Sequence, residues 1–406
     1  MLHNNDIIIT GLQPWNFSLG SNLANIARTL AKRNRVLFVN YAYDRLTLIK
    51  KRDDPKVREF IRLKRKGELQ LEEKEDNLWV FTPGKVLESI NQIGPEVIFN
   101  LLNKINGQRF NNQIKKAIEH LKFKNYILFT DSDFYRSFFL PEAIRPSHFI
   151  YYIRDNMVAT NYFRKHGLRM ESAMIRKADA VVTNSEFLAA YARKSNPLSY
   201  FVGQGCDLAL FNKSSVHSLP ETITSLKDKF KAIVGYIGAL KSTRIDIELI
   251  IFLAEKLPDL GFLLVGPEDD VFIKNDRIHH LPNVIFAGSK KESELPSWLD
   301  FFDVAINPQL INEITIGNYP RKIDEYLALG KPVVATKTPA MEYFKNHVYL
   351  ANSNEDYIPL IRRAITENTI EIEEERMRLA QTHSWEKNIE EIWKVLDGLS
   401  PAPIVT

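Results

Sequence analysis

The sequence predicts an α/β protein made of two doubly wound, Rossmann-like domains whose parallel sheets face a central cleft. Strand and helix patterns alternate along the 406 residues, and this length is typical of two domains rather than one. A second strand–helix series begins after a polar stretch at 212–219. Open sheets of this kind bind ligands at the carboxyl ends of their strands, so we expect the functional residues there.

The N-terminal series is predicted to occupy residues 1–212. Short apolar runs indicate its strands, and an amphipathic helix is expected over about 21–33. Residues 45–125 are expected to be mostly helical, except for one short strand. The predicted strands are 6–10, 35–39, 78–81, 126–129, 149–153, 180–183 and 199–202.

The C-terminal series is predicted to occupy 213–380, and a last segment, 381–406, contains a strong helix over 385–396. Buried strands are again indicated by short runs rich in β-branched and other apolar residues. The predicted strands of this series are 232–237, 261–265, 284–287, 304–307 and 332–335.

Composition limits the class of protein. Hydrophobic residues at 45% and charged residues at 26% are typical of globular proteins and exclude a disordered or fibrous chain. The one cysteine, Cys206, allows no internal disulfide and favours a reducing compartment. The first residues lack the pattern of a secretory signal, and no run approaches the roughly 18 apolar residues of a spanning helix. We therefore expect a soluble, cytoplasmic protein.

The positive charge is concentrated in one segment. Residues 45–66 contain ten Lys and Arg against three Asp and Glu, although the whole chain has a formal charge of only +4. A solvated helix face is one interpretation. The alternatives are peripheral contact with an anionic membrane at its inner face, or contact with a phosphate-bearing acceptor. Nucleic acid is disfavoured because no recognised binding module accompanies the segment.

The segment 318–336 carries the most specific signal. Its sequence predicts a loop, a helix that starts near Pro320 and ends at Gly330, and a buried strand. One more ordinary helix–strand unit is the plain alternative. That alternative does not explain why Arg321, Lys322 and Glu325 crowd the first turns of the helix. Two cations beside a helix N-terminus suit a diphosphate, and a nearby carboxylate can accept hydrogen bonds from sugar or ribose hydroxyls.

This block, Pro-x-Lys-x-x-Glu-Tyr-Leu-Ala-x-Gly-Lys-Pro-Val-Val-Ala-Thr from Pro320 to Thr336, resembles the retaining GT-B glycosyltransferases. That large, family 4-like group includes bacterial polysaccharide and lipopolysaccharide enzymes. The resemblance implies that Glu325 hydrogen-bonds the donor ribose. The first glutamate of the family's Glu-x7-Glu pair would fall at Gly317, and Glu313 in the same loop is a hypothetical substitute.

A second likeness to the family lies at 235–246, where a strand is followed by a glycine turn. Gly238 would allow close backbone approach, and Arg244 would bind the pyrophosphate. Ala239 stands where many relatives have an arginine, so Lys241 or Lys322 would supply the missing charge. A salt bridge of Arg244 to Asp246 or Glu248 is the alternative.

Two further turns follow strands of the C-terminal series. Gly266 ends one strand, and the turn at 288–290 ends the next. By resemblance, Ser289 and its neighbours would offer backbone groups to the donor base, which the sequence does not identify.

The N-terminal domain would bind the acceptor, again by resemblance. The loop 11–20, which ends in Gly20, would lie under the donor diphosphate and the acceptor, while Trp15 is either a sugar contact or a packing residue. Asp155 ends a buried strand and would orient the acceptor hydroxyl or stabilise positive charge at the anomeric carbon. Arg154 would contact a phosphate, and the alternative for this pair is a bridge from the strand end to a neighbouring loop.

Together these patterns predict a glycosyltransferase that moves a sugar from a nucleoside diphosphate sugar to a saccharide or lipid-linked acceptor, with retention. The resemblance also implies a role in cell-surface polysaccharide synthesis and a final helix that crosses back to the first domain. No cofactor or metal is expected, since no His or Cys cluster has ligand spacing. The alternatives are a sugar-nucleotide epimerase and a catalytically weak binding partner with the same fold.

Overall fold

The computed structural model describes residues 4–15, 21–66 and 70–399. The described residues form two compact units. The N-terminal unit comprises the described parts of 1–203 and 388–406, and the C-terminal unit comprises 204–387. The domain limits drawn from the sequence, at 212/213 and 380/381, stay predictions beside this division.

The N-terminal unit contains an eight-stranded sheet in the order β3-β4-β2-β1-β5-β6-β7-β8. All its neighbouring strands pair in parallel except β3 and β4, which are antiparallel. The strands are β1 Asp6–Gly11, β2 Arg35–Val39, β3 Leu71–Glu75, β4 Leu78–Phe81, β5 Ile127–Asp131, β6 His148–Ile153, β7 Ala180–Thr183 and β8 Ser199–Phe201.

Helices connect these strands, as a parallel sheet requires. They are α1 Asn22–Ala31, α2 Arg45–Lys50, α3 Pro55–Lys66, α4 Glu96–Leu121, α5 Leu140–Ile144, α6 Gly167–Lys177 and α7 Glu186–Arg193, with a 3₁₀ turn at Met157–Ala159. The first helix begins where the side chain of Ser21 accepts a hydrogen bond from the amide of Ala24, which is the usual chemistry of an N-cap.

The C-terminal unit contains a six-stranded sheet in the order β11-β10-β9-β12-β13-β14, and all its pairs are parallel. The carboxyl ends of its strands therefore lie at one edge. The strands are β9 Ile233–Ile237, β10 Gly261–Val265, β11 Val284–Gly288, β12 Val304–Asn307, β13 Val333–Thr336 and β14 Tyr349–Ala351.

The helices of the C-terminal unit cover both faces of this sheet with apolar side chains. They are α8 Glu221–Thr224, α9 Leu226–Lys229, α10 Ile247–Lys256, α11 Asp270–Ile273, α12 Asp276–His279, α13 Leu295–Phe301, α14 Lys322–Ala328, α15 Tyr357–Thr366, α16 Ile370–Gln381 and the start of α17 Trp385–Asp397, with 3₁₀ turns at Lys213–Ser215, Glu292–Glu294 and Met341–Phe344.

The last helix, α17, begins in the C-terminal unit and continues from Asn388 as part of the N-terminal unit. In the C-terminal unit, Trp385 packs so closely on Gly205 that a Cβ on this glycine would lie 2.2 Å from the indole ring. In the N-terminal unit, the side-chain amide of Asn388 donates to the backbone oxygens of Val202 and Gly203 at 2.9 and 3.1 Å. These contacts fix the start of α17 within each unit.

Two strands were missed by the sequence prediction. The expectation that 45–125 contains one short strand is wrong, because β3 precedes β4. Its residues, Leu71 to Glu75, are nearly all exposed and charged, as an edge strand permits. The three-residue β14 at the edge of the second sheet was also missed. Among the helices that the structure describes, none combines the length and the apolar character that crossing a bilayer requires.

Candidate functional site

Two glycine turns meet at the carboxyl edge of the second sheet. Gly238 follows β9 and Gly266 follows β10, with φ angles of 140° and 148° that favour glycine. A Cβ on Gly266 would lie 2.0 Å from the backbone oxygen of Gly238, and the amide of Gly238 donates to Val265 at 2.9 Å. Gly266 is buried against Gly238, whereas Gly238 is partly exposed and has no side chain, so a ligand can approach the backbone of Gly238.

Lys322 lies beside the first of these turns. A Cβ on Gly238 would be 3.2 Å from Cε of Lys322, and Nζ lies 4.9 Å from the ring centroid of Tyr236, within the range of a cation–π contact. One helical turn further on, the buried hydroxyl of Tyr326 accepts a hydrogen bond from the amide of Ile237 at 2.9 Å. This bond fastens α14 to the end of β9 and thereby holds Lys322 at the glycine turn.

Glu325 pairs with Arg321 rather than with Lys322. Nε of Arg321 lies 2.9 Å from Oε1 of Glu325. This i,i+4 contact is typical of helices, and it is partly shielded because the Glu325 side chain is only 10% exposed. Arg321 therefore orients the carboxylate that we expect to accept hydrogen bonds from a ligand.

Arg244 lies in a loop that is tied to the segment after β12. The backbone oxygen of Arg244 accepts from the amide of Leu310 at 2.8 Å, and the side-chain amide of Asn312 donates to Thr243 at 3.0 Å. Asn312 also caps the turn that carries the exposed Glu313. The structure thus brings the loops of Arg244 and Glu313 to the same edge of the sheet.

The turn that contains Lys241 is pinned by a carboxylate. Asp269 accepts from both the amide and the hydroxyl of Ser242 at 2.8 Å. Burial acts to raise the pKa of Asp269, yet the hydrogen bonds that its carboxylate accepts from Phe272, Ser242 and Val271 bring the pKa below its usual value. Lys241 itself is exposed.

Each of the two acids that were considered as partners of Arg244 contacts another residue, and these contacts do not test a salt bridge to Arg244. Asp246 accepts from the amide of Leu249 at 3.0 Å and caps α10. Glu248 lies 3.4 Å from Arg277. These contacts leave the predicted role of Arg244 in ligand binding as a prediction.

Ser289 follows the third turn of this edge. The oxygen of Gly288 accepts from the amide of Gly266 at 3.0 Å, so the turns after β10 and β11 touch. Ser289 is exposed. Gly238, Lys241, Arg244, Gly266, Ser289, Glu313, Arg321, Lys322 and Glu325 therefore all lie on loops or helix starts of the C-terminal unit.

The other predicted residues belong to the N-terminal unit. Asp155 follows β6, and Gly20 lies outside the described residues. Arg154 forms a buried ion pair in which its Nε is 2.8 Å from Oδ2 of Asp131, so the bridge from strand end to neighbouring strand is what the structure shows. Trp15 packs edge-on against Phe38, with ring centroids 5.3 Å apart.

Comparison with known proteins identifies the unit that carries this edge. Residues 231–366 match the family model of glycosyl transferases group 1. The C-terminal unit carries a group 1 glycosyl transferase domain. The matched segment contains all nine predicted residues of the C-terminal unit.

One curated relative extends the match beyond the group 1 domain. The chain is 27% identical over 251 residues to the putative teichuronic acid biosynthesis glycosyltransferase TuaH of Bacillus subtilis (strain 168). This alignment covers 59% of the chain and 62% of the relative, so the chain spans about three fifths of the length of the curated relative that it matches.

Solved structures confirm the predicted GT-B fold. HepE of Anabaena in complex with UDP has a TM-score of 0.65 at 16% identity, covering 97% of this chain and 100% of the other. Sucrose-phosphate synthase from Thermosynechococcus elongatus has a TM-score of 0.68 at 14% identity, with 98% and 100% covered. At these identities the likeness shows the fold alone.

The C-terminal unit also holds a buried network that the sequence did not suggest. Oδ1 of Asp324 lies 2.7 Å from Nδ1 of His383 and accepts from the hydroxyl of Tyr319 at 3.0 Å. Burial raises the pKa of Asp324, and the neighbouring His383 opposes the rise. The network lies behind α14 and supports its position. His383 is distant in sequence, so no local pattern could have found the pair.

Metal sites can be assessed only among the residues that the structure describes. There, no group of three or more His, Cys, Asp or Glu side chains is arranged to hold a metal ion. The metal independence expected from the sequence stays a prediction.

Proposed function

We propose that the chain is a retaining glycosyltransferase that moves a sugar from a nucleoside diphosphate sugar to a saccharide or lipid-linked acceptor. The observation that carries this proposal is the position of Lys322, which α14 holds beside the glycine turn of Gly238 within the group 1 domain. A fixed cation next to side-chain-free backbone suits a diphosphate.

The proposed mechanism depends on electrostatics and positioning. Lys322 and Arg244 neutralise the diphosphate as the bond from the anomeric carbon to its oxygen breaks, and a bond from that carbon to the acceptor oxygen forms. The acceptor hydroxyl gives its proton to the departing diphosphate oxygen. Glu325, oriented by Arg321 at 2.9 Å, accepts hydrogen bonds from hydroxyls of the donor. Asp155 is proposed to orient the acceptor hydroxyl. In this proposal the cations take the part that a divalent ion has in metal-dependent transferases.

Named relatives suggest the class of substrates. HepE has been solved with UDP and with UDP-glucose, which makes UDP-sugars the first donors to test. The name of TuaH assigns that relative to teichuronic acid biosynthesis, which supports our proposal of a role in cell-surface polysaccharide synthesis.

The proposal is tested by incubating the full chain with UDP-, GDP- and ADP-sugars, with and without saccharide acceptors. Transfer or hydrolysis releases nucleoside diphosphate, an epimerase changes only the sugar, and a binding partner does neither. Lys322→Ala and Arg244→Ala should each lower turnover by about one to three orders of magnitude, the scale of a lost oxyanion donor. The exposed Lys274, in the same unit, provides a control variant, Lys274→Ala, that should keep full turnover.

We also propose peripheral contact with the inner face of the membrane through residues 45–66. In the structure this segment contains α2 and α3, and its lysines and arginines from Arg45 to Lys64 are exposed. Two apolar side chains of α2, Leu46 and Ile49, are 39% and 69% exposed. Exposed apolar side chains beside a cluster of bases are typical of helices that lie in an anionic membrane surface.

A further inference from the structure

The N-terminal unit contains a cavity of about 730 Å³ that the sequence did not indicate. It lies between α3 and the segments that follow β1, β2 and β4. Its volume is within the range of roughly 300–1,000 Å³ that is usual for small-molecule sites. The cavity therefore has both the size and the position, at the carboxyl ends of parallel strands, of a ligand site.

One wall of the cavity is aromatic. The rings of Tyr41 and Tyr43 lie 5.3 Å apart, and those of Tyr43 and Phe60 lie 4.7 Å apart. Trp15 also lines the cavity. Burial and the neighbouring Tyr41 raise the pKa of Tyr43, so its hydroxyl stays neutral. Flat apolar faces with polar tips suit a sugar ring, which has C–H groups on its faces and hydroxyls at its edge.

Arg136 forms part of the cavity wall and has an unmet hydrogen bond. Its side chain is only 19% exposed, and its guanidinium carbon lies 5.2 Å from the ring centroid of Tyr41. Among the described residues, its buried Nη1 has no hydrogen-bond partner, since Oδ2 of Asp133 is 3.8 Å away. A buried donor of this kind costs free energy until it is bonded, and a cation is best satisfied by an anion.

The other charges of the cavity balance each other. Apart from Arg136, the lining contains three cations and three acids, namely Lys51, Lys56 and Lys74 against Asp54, Glu59 and Glu72. Lys74 and Glu72 form an ion pair with each other. The group that remains most buried is the guanidinium of Arg136.

We propose that this cavity binds a saccharide that carries a carboxylate or a phosphate. The sugar ring lies on the aromatic wall of Tyr41, Tyr43 and Phe60, and the anionic group accepts hydrogen bonds from Arg136. The assignment of this saccharide as the acceptor rests on the proposed function. The binding site itself follows from the cavity and from the unmet hydrogen bond of Arg136.

The test measures binding of glucuronate, glucose 6-phosphate and glucose to the full chain by titration calorimetry. At least one of the two anions should bind about 10-fold or more tightly than glucose, the value of a charged hydrogen bond. Preference for glucuronate identifies a carboxylate ligand, and preference for glucose 6-phosphate identifies a phosphate. Equal affinity for all three sugars, or no binding, would overturn the proposal.

Variants separate the role of Arg136 from general damage. Arg136→Gln should remove the preference for the anion and leave the affinity for glucose unchanged, and Arg136→Lys should restore only part of the preference because lysine lacks the planar fork. Arg193→Gln, at an exposed arginine of the same unit, is the matched control and should bind like the natural chain. If Arg136→Gln does not fold, Tyr43→Leu is used, which should weaken binding of all the sugars that the natural chain binds.

The two proposals fail independently. Release of nucleoside diphosphate without any anion preference in calorimetry would sink the cavity proposal and leave the glycosyltransferase proposal standing. Suppose instead that anion binding depends on Arg136 in a chain that neither transfers nor hydrolyses any nucleotide sugar. This result would support the cavity proposal and overturn the glycosyltransferase proposal.

Discussion

Replacing Gly266 by alanine tests how closely the two glycine turns of the group 1 domain depend on each other. The added Cβ would lie 2.0 Å from the oxygen of Gly238, whereas ordinary contacts begin at 3.4 Å. The φ angle of 148° is also one that residues with side chains rarely adopt. The turns must therefore separate by more than 1 Å, or the local sheet must distort.

The expected cost is the sum of two effects. A backbone conformation outside the ordinary regions costs about 1–3 kcal/mol, and overpacking adds about 1–3 kcal/mol. We therefore expect Gly266→Ala to lower the free energy of unfolding of the C-terminal unit by about 2–6 kcal/mol. Because Lys322 is held beside the same turn, the variant should also bind nucleoside diphosphates more weakly.

Two control variants separate these effects. Gly288 has a φ of 67° but open space around its Cβ position, so Gly288→Ala should cost only about 1–2 kcal/mol. Gly84 in the N-terminal unit has no positive φ, and a Cβ added to it would meet no atom within 4 Å. Gly84→Ala should therefore change the stability by less than about 0.5 kcal/mol.

The assay is hydrogen exchange of the β9 and β10 amides, read together with denaturant unfolding, because a chain of two units need not unfold in one step. Protection of these amides should fall most in Gly266→Ala, less in Gly288→Ala, and not at all in Gly84→Ala. If Gly266→Ala were no more destabilised than Gly288→Ala, the close approach of the two turns would be wrong.

Two further predictions concern the N-terminal unit. Burial raises the pKa of Glu171 from 4.5 to about 7, so the folded state binds a proton that the unfolded chain has released. The free energy of unfolding should therefore fall by up to about 3 kcal/mol between pH 4.5 and 7, and denaturation of Glu171→Gln at pH 5 and pH 8 should show this decline removed. Vesicles containing an anionic lipid should bind the chain at low salt and release it at high salt. The double variant Leu46→Ser/Ile49→Ser should bind these vesicles less, whereas Val271→Ser/Ile273→Ser, at similarly exposed sites of the C-terminal unit, should not; equal binding by all three chains would contradict a role for α2.

Much of the fold could be predicted because its strands are short apolar runs. β2, β4, β7, β10 and β12 begin and end at the predicted residues. These strands are buried on both faces, so their sequences are continuously apolar. β3 escaped prediction because an edge strand needs no buried face, and its charged sequence reads like a loop.

Some residues and contacts of the candidate site could be predicted from the sequence and others could not, for a physical reason. Lys322 and Glu325 lie in one motif, and Gly238 and Gly266 follow recognisable strands, so the strand pattern and the family resemblance together indicated them. The pairing of Glu325 with Arg321, at i,i+4, could have been predicted from the spacing but was not. The cavity at Arg136 could not be predicted, because its wall joins residues from five separate segments of the chain.

The short helix α14 shows why the predicted and unpredicted residues depend on each other. Seven residues are too few to form a stable helix in isolation, so its position must come from tertiary contacts. Those contacts are made by Tyr326, which bonds the end of β9, and by Asp324, which bonds His383. Lys322 lies on the least buried side of the helix, and these contacts fix its position. The motif therefore contains the cation that we propose to contact the diphosphate. The position of this cation also depends on a buried carboxylate, Asp324, and on a histidine, His383, that lies outside the motif.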